Sequence, residues 1–392
     1  NANANSVSLD FAKFSHGHIE QNDKGGVGPT TETGWDFSTN EAFSHAVGSD
    51  FDGKLLDSVS PGVALEYYIR VDGSPEWLRL EGFSMDLANG GSVGGAGGGA
   101  GKATASDLHS VLGSSSTIVE LTEALATGGH IKDVEIEAYR LGGKEGELLV
   151  DQYYFEDVLV TSLSTSGGAF GTANSLSFDF AKFNHGHVEQ DDKGGVGAIT
   201  EAGFDFAKNE SFEGGPAIAG DALKAKLDEG LSTDVQLEYY VTFDGAPGWL
   251  ELHSFSMGLS SSGSLGGGGG GAGKVSASDV SLLLGSSAQI LDLTEGVTEG
   301  THFKFFEVEA YWSGGEGKPQ LVDQYYFEDV LVTSLSTGNA NANSVSLDFA
   351  KFSHGHIEQN DKGGVGPTTE TGWDFSTNEA FSHPVAPDVD LF

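Results

Sequence analysis

The chain has 392 residues, enough for two or three domains of ordinary size. Acidic residues outnumber basic ones 58 to 19, a formal charge of −39; this excludes nucleic acid as a partner, whose phosphates would be repelled, and argues against an anionic lipid surface. Cysteine is absent, which excludes disulfides and thiolate chemistry, and no apolar run approaches the roughly 18 residues of a membrane-spanning helix.

The dominant feature is internal repetition. Residues Asn1–His45 recur unchanged as Asn339–His383, and a diverged copy lies around Asn174–Phe212. Compare SVSLDFAKFSHGHIEQNDKGGVG from Ser6 with SLSFDFAKFNHGHVEQDDKGGVG from Ser175. A longer segment, the core, occurs twice (about 64–165 and 236–337). It opens LEYYIRVDG at Leu65 and LEYYVTFDG at Leu237, and closes DQYYFEDVLVTSLST at Asp151 and Asp323. With the shorter segment called the tail, the order is tail, core, tail, core, tail. The short core-to-tail joints pair each core with the tail that follows it. The expected division is a spare tail 1–46, a linker 47–63, unit 1 at 64–213, a linker 214–235 and unit 2 at 236–392. The chain opens without Met at a loop before a tail, which reads as a processed product or a segment of a longer array.

In chain order, Val7, Leu9 and Phe11 alternate with Ser8, Asp10 and Ala12, the period of a half-buried strand. Leu65, Tyr67, Ile69 and Val71 share one face of a strand, and so do Val134, Ile136 and Ala138. Tyr153, Phe155, Leu159 and Leu163 follow the same period with one polar interruption. Thr117 and Glu120 have capping-box spacing, and Ile118, Leu121 and Leu125 mark one short helix. Its counterpart carries Ile290, Leu293 and Val297. The prediction is a mainly β chain with two tandem β-barrel units, each with one short helix, plus an extra strand-rich segment.

These residues, in this order, resemble the Hcp family, the haemolysin-coregulated tube protein of type VI secretion. The resemblance is carried by the strand pair LEYYIRVDG … WLRLEGFSMDL, the glycine loop ending in lysine (GGSVGGAGGGAGKATASDL), the helix, the strand GGHIKDVEIEAYR, FEDVLVTSLSTSG, and the tail SLSFDFAKFNHGHVEQ. It covers both units. The resemblance implies a β-barrel unit with a helix at one side, hexameric rings stacked into a hollow tube, and a glycine extension (Gly90–Gly101, Gly263–Gly273) reaching toward a neighbour. Two units in one chain, a spare tail and the strong acidity are departures from the family pattern.

Candidate assembly residues are Gly97, Gly101 and Lys102, with Gly270, Gly273 and Lys274, as loop contacts. In the spare tail they are Val7, Leu9, Phe11 and Phe14, apolar residues of a segment that cannot bury its own face. Such a segment can complete a sheet in another chain by strand addition, and a head-to-tail contact propagates as a filament unless it closes. A divalent-metal reading attaches to His16, His18 and Glu20, repeated as His185, His187 and Glu189 and as His354, His356 and Glu358. Strand period puts each trio on one face, with two imidazoles and a carboxylate. The plain alternative is histidines satisfied by hydrogen bonds or lining a subunit contact, including a pH-sensitive one. GGGGAGK at Gly268–Lys274 lacks the Ser/Thr of a phosphate loop, because Val275 follows. The Gln21–Gly26 turn does not follow the calcium-loop pattern. Neither HExxH nor GxSxG occurs, so no enzyme is expected.

The sequence therefore predicts a non-enzymatic structural protein without cofactor. It would self-assemble into an extracellular tube or filament, by head-to-tail strand donation in its most specific form. Alternatives are a secreted tube component of a type VI-like apparatus, with trimers as pseudo-hexamers, and a metal- or glycan-binding cell-surface module. The expected partner is the chain itself, with neither nucleic acid nor membrane insertion.

Overall fold

The computed structural model describes residues 7, 9, 11, 13–21, 27–36, 39–42, 64–72, 74, 77–91, 101–143, 146–168, 171–190, 196–215, 235–265, 273–312, 319–338, 342–359 and 365–385. Both predicted linkers lie almost wholly outside them. The N-terminal segment contributes β1 (Lys13–Gln21), β2 (Val27–Asp36) and β3 (Glu41–Ala42). The first repeat follows with β4 (Leu65–Val71), β5 (Leu78–Ser84), β6 (Leu87–Asn89), β7 (Ala103–Ala105), β8 (Leu108–Leu112), α1 (Ser116–Thr127), β9 (His130–Gly143), β10 (Gly146–Gly168), β11 (Gly171–Gln190), β12 (Val196–Asp205) and β13 (Glu210–Ser211). The second has β14 (Leu237–Phe243), β15 (Leu250–Ser261), β16 (Val275–Ala277), β17 (Val280–Leu284), α2 (Gln289–Glu299), β18 (His302–Trp312), β19 (Gln320–Thr337), β20 (Asn343–Gln359), β21 (Val365–Asp374) and β22 (Glu379–Ala380). Two compact bodies result, one of Ala2–Ala64 with Asp86–Ala105, the other of Leu65–Met85 with Ser106–Phe392.

The larger body holds two six-stranded antiparallel barrels. In the first, β4 pairs with β5, β5 with β8, β8 with β11, β11 with β10, β10 with β9, and β9 returns to β4. The second repeats the circuit as β14, β15, β17, β20, β19 and β18. Each tail strand, β11 or β20, is thus a wall of its barrel and one arm of a long hairpin with the last core strand. The predicted faces point inward. Leu65, Tyr67, Ile69 and Val71 are buried, as are Val134, Ile136 and Ala138. Phe155, Phe178, Phe327 and Phe352 fill the barrels, each burial contributing about 2–3 kcal/mol.

The polar interruption in β10 is a bulge. Register shifts between Val160 and Ser162, and between Val332 and Ser334 in β19. The extra residues Thr161 and Thr333 turn their hydroxyls to Asp107 and Asp279, at 2.6 and 2.7 Å. The bulge re-aims the chain so that apolar residues on both sides still face inward.

The helices sit where predicted, and Ile118, Leu121 and Leu125 are fully buried. The capping box does not form. Ser115 is the N-cap of α1, without a side-chain capping bond, and Thr117 lies inside the first turn. Gly128 and Gly300 end the helices in the left-handed conformation (φ 66° and 67°) that glycine adopts without strain. No helix among the described residues is long and apolar enough to cross a membrane.

In the smaller body, β1, β2 and β3 form a three-stranded antiparallel sheet, and β6 and β7 a two-stranded hairpin. Lys13 pairs with Asp36 at 2.9 Å.

Candidate assembly interface

The two barrels meet through a contact that uses different surfaces on each. The end of β10 pairs antiparallel with β15, from Ser162 opposite Ser260 to Gly168 opposite Ser254. The β10–β11 hairpin enters the mouth of the second barrel. There Thr172 shares a buried hydrogen bond with Tyr239 at 2.7 Å. Gly167 is required, because a Cβ there would lie 2.5 Å from Phe255 Cε1 and 2.7 Å from Tyr239 Cε1. Nearby, the Leu265 amide donates to Asp179 at 2.6 Å. Helix α1 packs on β20 and β21, leaving a crevice of about 220 Å³ lined by Glu123, Ala126, Thr371, Trp373 and Phe381 among others.

A polar cluster lies under this contact. The predicted histidines are brought together, but around an aspartate that the sequence reading missed. His354 Nε2 and His356 Nδ1 both bond Asp323 Oδ1, at 3.3 and 2.8 Å. Ser114 from the first barrel donates to the other oxygen, Oδ2. All four residues are buried. Asp323 is held far below the usual carboxylate range by its two histidines, against the opposing effect of its burial. His354 also stacks on Tyr325, centroids 4.4 Å apart.

The first barrel carries the same cluster uncovered. His185 and His187 bond Asp151 at 3.1 and 2.8 Å, and His185 stacks on Tyr153. Here the imidazoles are half-buried. Glu189 is exposed, Glu358 is half-buried, and neither joins its histidines. In the N-terminal copy His16 is exposed; the side chains of His18 and Glu20 lie outside the described residues. Among the described residues, no group of three or more His, Asp or Glu is set to hold a metal ion. The missed aspartates were legible in the hairpin register, where Asp151 stands opposite His187 and Asp323 opposite His356.

The loop residues close the bases of two hairpins. A Cβ at Gly101 would fall 2.0 Å from Gly91 N, and one at Gly273 2.0 Å from Gly263 N. Asn89 Oδ1 accepts from the Gly91 and Gly101 amides, at 2.7 and 3.0 Å. Gly97 and Gly270 lie outside the described residues. Lys102 and Lys274 are exposed and each immediately precedes a strand. A phosphate loop would need a helix N-terminus at that place. In the spare tail Val7, Leu9, Phe11 and Phe14 are all exposed.

Comparison with curated protein sequences finds no match. Among solved structures, the chain is similar to one titled a type six secretion system protein, at 19% identity over 37% of this chain and 99% of that one, with a TM-score of 0.34. Hcp1 from Salmonella typhimurium matches at 20% identity, over 38% of this chain and 100% of that one, TM-score 0.31. A type VI secretion system effector from Yersinia pestis matches at 21%, over 36% and 98%, TM-score 0.28. The sequence profile of the family described as "Type VI secretion system effector, Hcp" matches twice, over residues 69–187 and 240–356. Those two matches take in both barrels, and the chain belongs to the Hcp family as a tandem duplication.

Proposed function

We propose that this protein is a non-enzymatic structural subunit that assembles side by side with copies of itself into an extracellular tube or filament. The observation that carries the reading is the β10–β15 contact. It joins unlike surfaces of two homologous barrels, so it leaves one half unused at each end of the pair. Among the described residues, no second partner strand covers the end of β19 in the second barrel or the outer edge of β5 in the first. Contacts of this heterologous kind either close into rings or run on as filaments. Family membership supports a type VI tube or effector-like role, and with it secretion. Three chains closing a ring would supply six barrels.

The finer form of the reading, donation of residues 1–46 as a strand segment, draws support from the exposed Val7, Leu9, Phe11 and Phe14. Against it stands β20, an identical segment already seated in the second barrel and held at high effective concentration by its tether. Electron microscopy of the full chain, with and without residues 1–46, separates the routes. Polymers that survive deletion assign assembly to the barrel contact. Polymers that vanish assign it to donation. Single particles at every salt concentration overturn the self-assembly reading.

A further inference from the structure

The sequence holds one Asn-Gly pair, Asn89-Gly90, at the end of β6 where the first glycine loop begins. This pairing leaves a side-chain carboxamide open to its own main chain, because glycine has no Cβ to screen the amide nitrogen that follows the asparagine. The surroundings leave that approach clear as well. A Cβ built at Gly90 would meet nothing within 4 Å, and Asn89 and Gly90 are both exposed.

The hairpin base holds the carboxamide in a reactive setting. Asn89 Oδ1 accepts from two backbone amides, Gly91 at 2.7 Å and Gly101 at 3.0 Å. The ring closed by Oδ1 and the Gly91 amide runs through both Cγ and the Gly90 nitrogen, so it folds one over the other. The second donor is there because the two strands approach too closely for a side chain. A Cβ at Gly101 would fall 2.0 Å from Gly91 N and 2.2 Å from the Gly90 carbonyl carbon. The Gly90 amide donates to the Lys102 carbonyl at 3.3 Å, longer than the usual range for such a bond, so its nitrogen is weakly held. In the second repeat the matching residues are Ser261 and Ser262, and the Gly263 amide donates to Ser261 Oγ at 3.2 Å.

We propose that Asn89 is a self-modification site, at which the chain converts asparagine to aspartate and isoaspartate without an enzyme. The Gly90 nitrogen gives its proton to a solvent base and attacks Asn89 Cγ. As that C–N bond forms, negative charge moves onto Oδ1, where the Gly91 and Gly101 amides stabilise it in the manner of an oxyanion hole. The charge then returns, the bond from Cγ to Nδ2 breaks, and the nitrogen leaves as ammonia with a proton from water. The cyclic imide takes up one water molecule and opens at either carbonyl. Opening at Cγ gives aspartate, whose carboxylate keeps both amides as charge-assisted donors. Opening at the main-chain carbonyl gives isoaspartate, which adds a carbon to the backbone and pulls Gly90 out of register with Lys102. A serine hydroxyl cannot form the imide, so the two glycine loops of one chain diverge with age. The reaction needs a single chain and is independent of assembly.

The test incubates the full chain in mildly alkaline buffer made with heavy-oxygen water, folded and in urea, and follows each asparagine by peptide mass spectrometry. Heavy oxygen entering at residue 89 reports imide hydrolysis, and chromatography separates the aspartate and isoaspartate peptides. Asn89 should convert ahead of every other asparagine, and about tenfold faster in the folded chain than in urea. That is less than a buried oxyanion donor supplies, because this hairpin is exposed. Gly101→Ala displaces one donor through its backbone clash. It should remove most of the folded-state advantage and leave the rate in urea unchanged, with circular dichroism reporting intact barrels. Gly90→Ala, which screens the attacking nitrogen and keeps both donors, should slow conversion in both states. Folded chain that converts no faster than unfolded chain, or a Gly101→Ala variant that keeps the full advantage, overturns the role of the two amides. A folded chain whose residue 89 stays asparagine while other asparagines convert overturns the site itself.

Discussion

Residues Asn1–His45 and Asn339–His383 have one sequence and opposite environments. Val345, Leu347, Phe349 and Phe352 are wall and core of the second barrel, whereas Val7, Leu9, Phe11 and Phe14 face solvent. Val345 is 0% exposed and Val7 76%. The lesson is that an alternating pattern states which face of a strand seeks burial, and neighbours decide whether it finds it. The two Asp–His clusters repeat the lesson, since one is sealed by Ser114 and the other is open.

The largest expected break in this comparison comes from the paired phenylalanines. Phe352→Ala should destabilise the second barrel by about 3–5 kcal/mol, through lost burial and a cavity. Phe14→Ala, the same change in the same sequence, should stay within about 0.5 kcal/mol. Chemical denaturation of the two variants checks both, and equal effects would mean that the N-terminal copy is buried after all.

Asp323→Asn should cost about 3–5 kcal/mol by leaving buried partners unmatched, and Asp151→Asn only about 1 kcal/mol. The folded carboxyl of Asp323 sits far below its unfolded value. Its contribution is therefore present above the usual carboxylate range and is lost as pH falls through and below it. An acid titration of unfolding should show this loss in wild type and not in Asp323→Asn.

Next comes the contact between the barrels. Gly167→Val should cost about 1–3 kcal/mol by overpacking, and should split a shared thermal transition into two if the contact couples the barrels.

A smaller effect separates two acid pairs. Glu135 in the first barrel has Arg70 at 2.6 Å. Its match Glu307 faces Thr242 in place of the arginine, and burial, then the charge of Glu309, pushes its carboxyl up to about 7. Folded Glu307 holds its proton where the unfolded residue loses it. The stability linked to that proton is full below the ordinary glutamate range and lost as pH rises through about 7. Glu307→Gln should recover about 1–2 kcal/mol at pH 8 and little at pH 4. A flat difference across that window would remove the burial argument.

Much of the unit was legible from sequence. The strands, the two helices, the tandem repeat and the family could be read because period-two and helical patterns are local. The Asp–His cluster was half legible. The histidines were found and assigned a glutamate neighbour two residues on, but their partner is the aspartate across the hairpin. The capping box failed for a related reason, because spacing alone does not show that the helix starts two residues earlier.

The amino-acid sequence by itself determined a mainly β chain, its repeats, and which side chains need cover. Tertiary structure decided which copies receive that cover. β20 is walled by β17 and β19, α1 lies on β21, and Ser114 seals Asp323, whereas β1, α2 and Asp151 have no such neighbours among the described residues. The physical reason is that burial belongs to a pair of surfaces. One strand's pattern records its own half of the pair, and the other half is set by long-range register and by chain order.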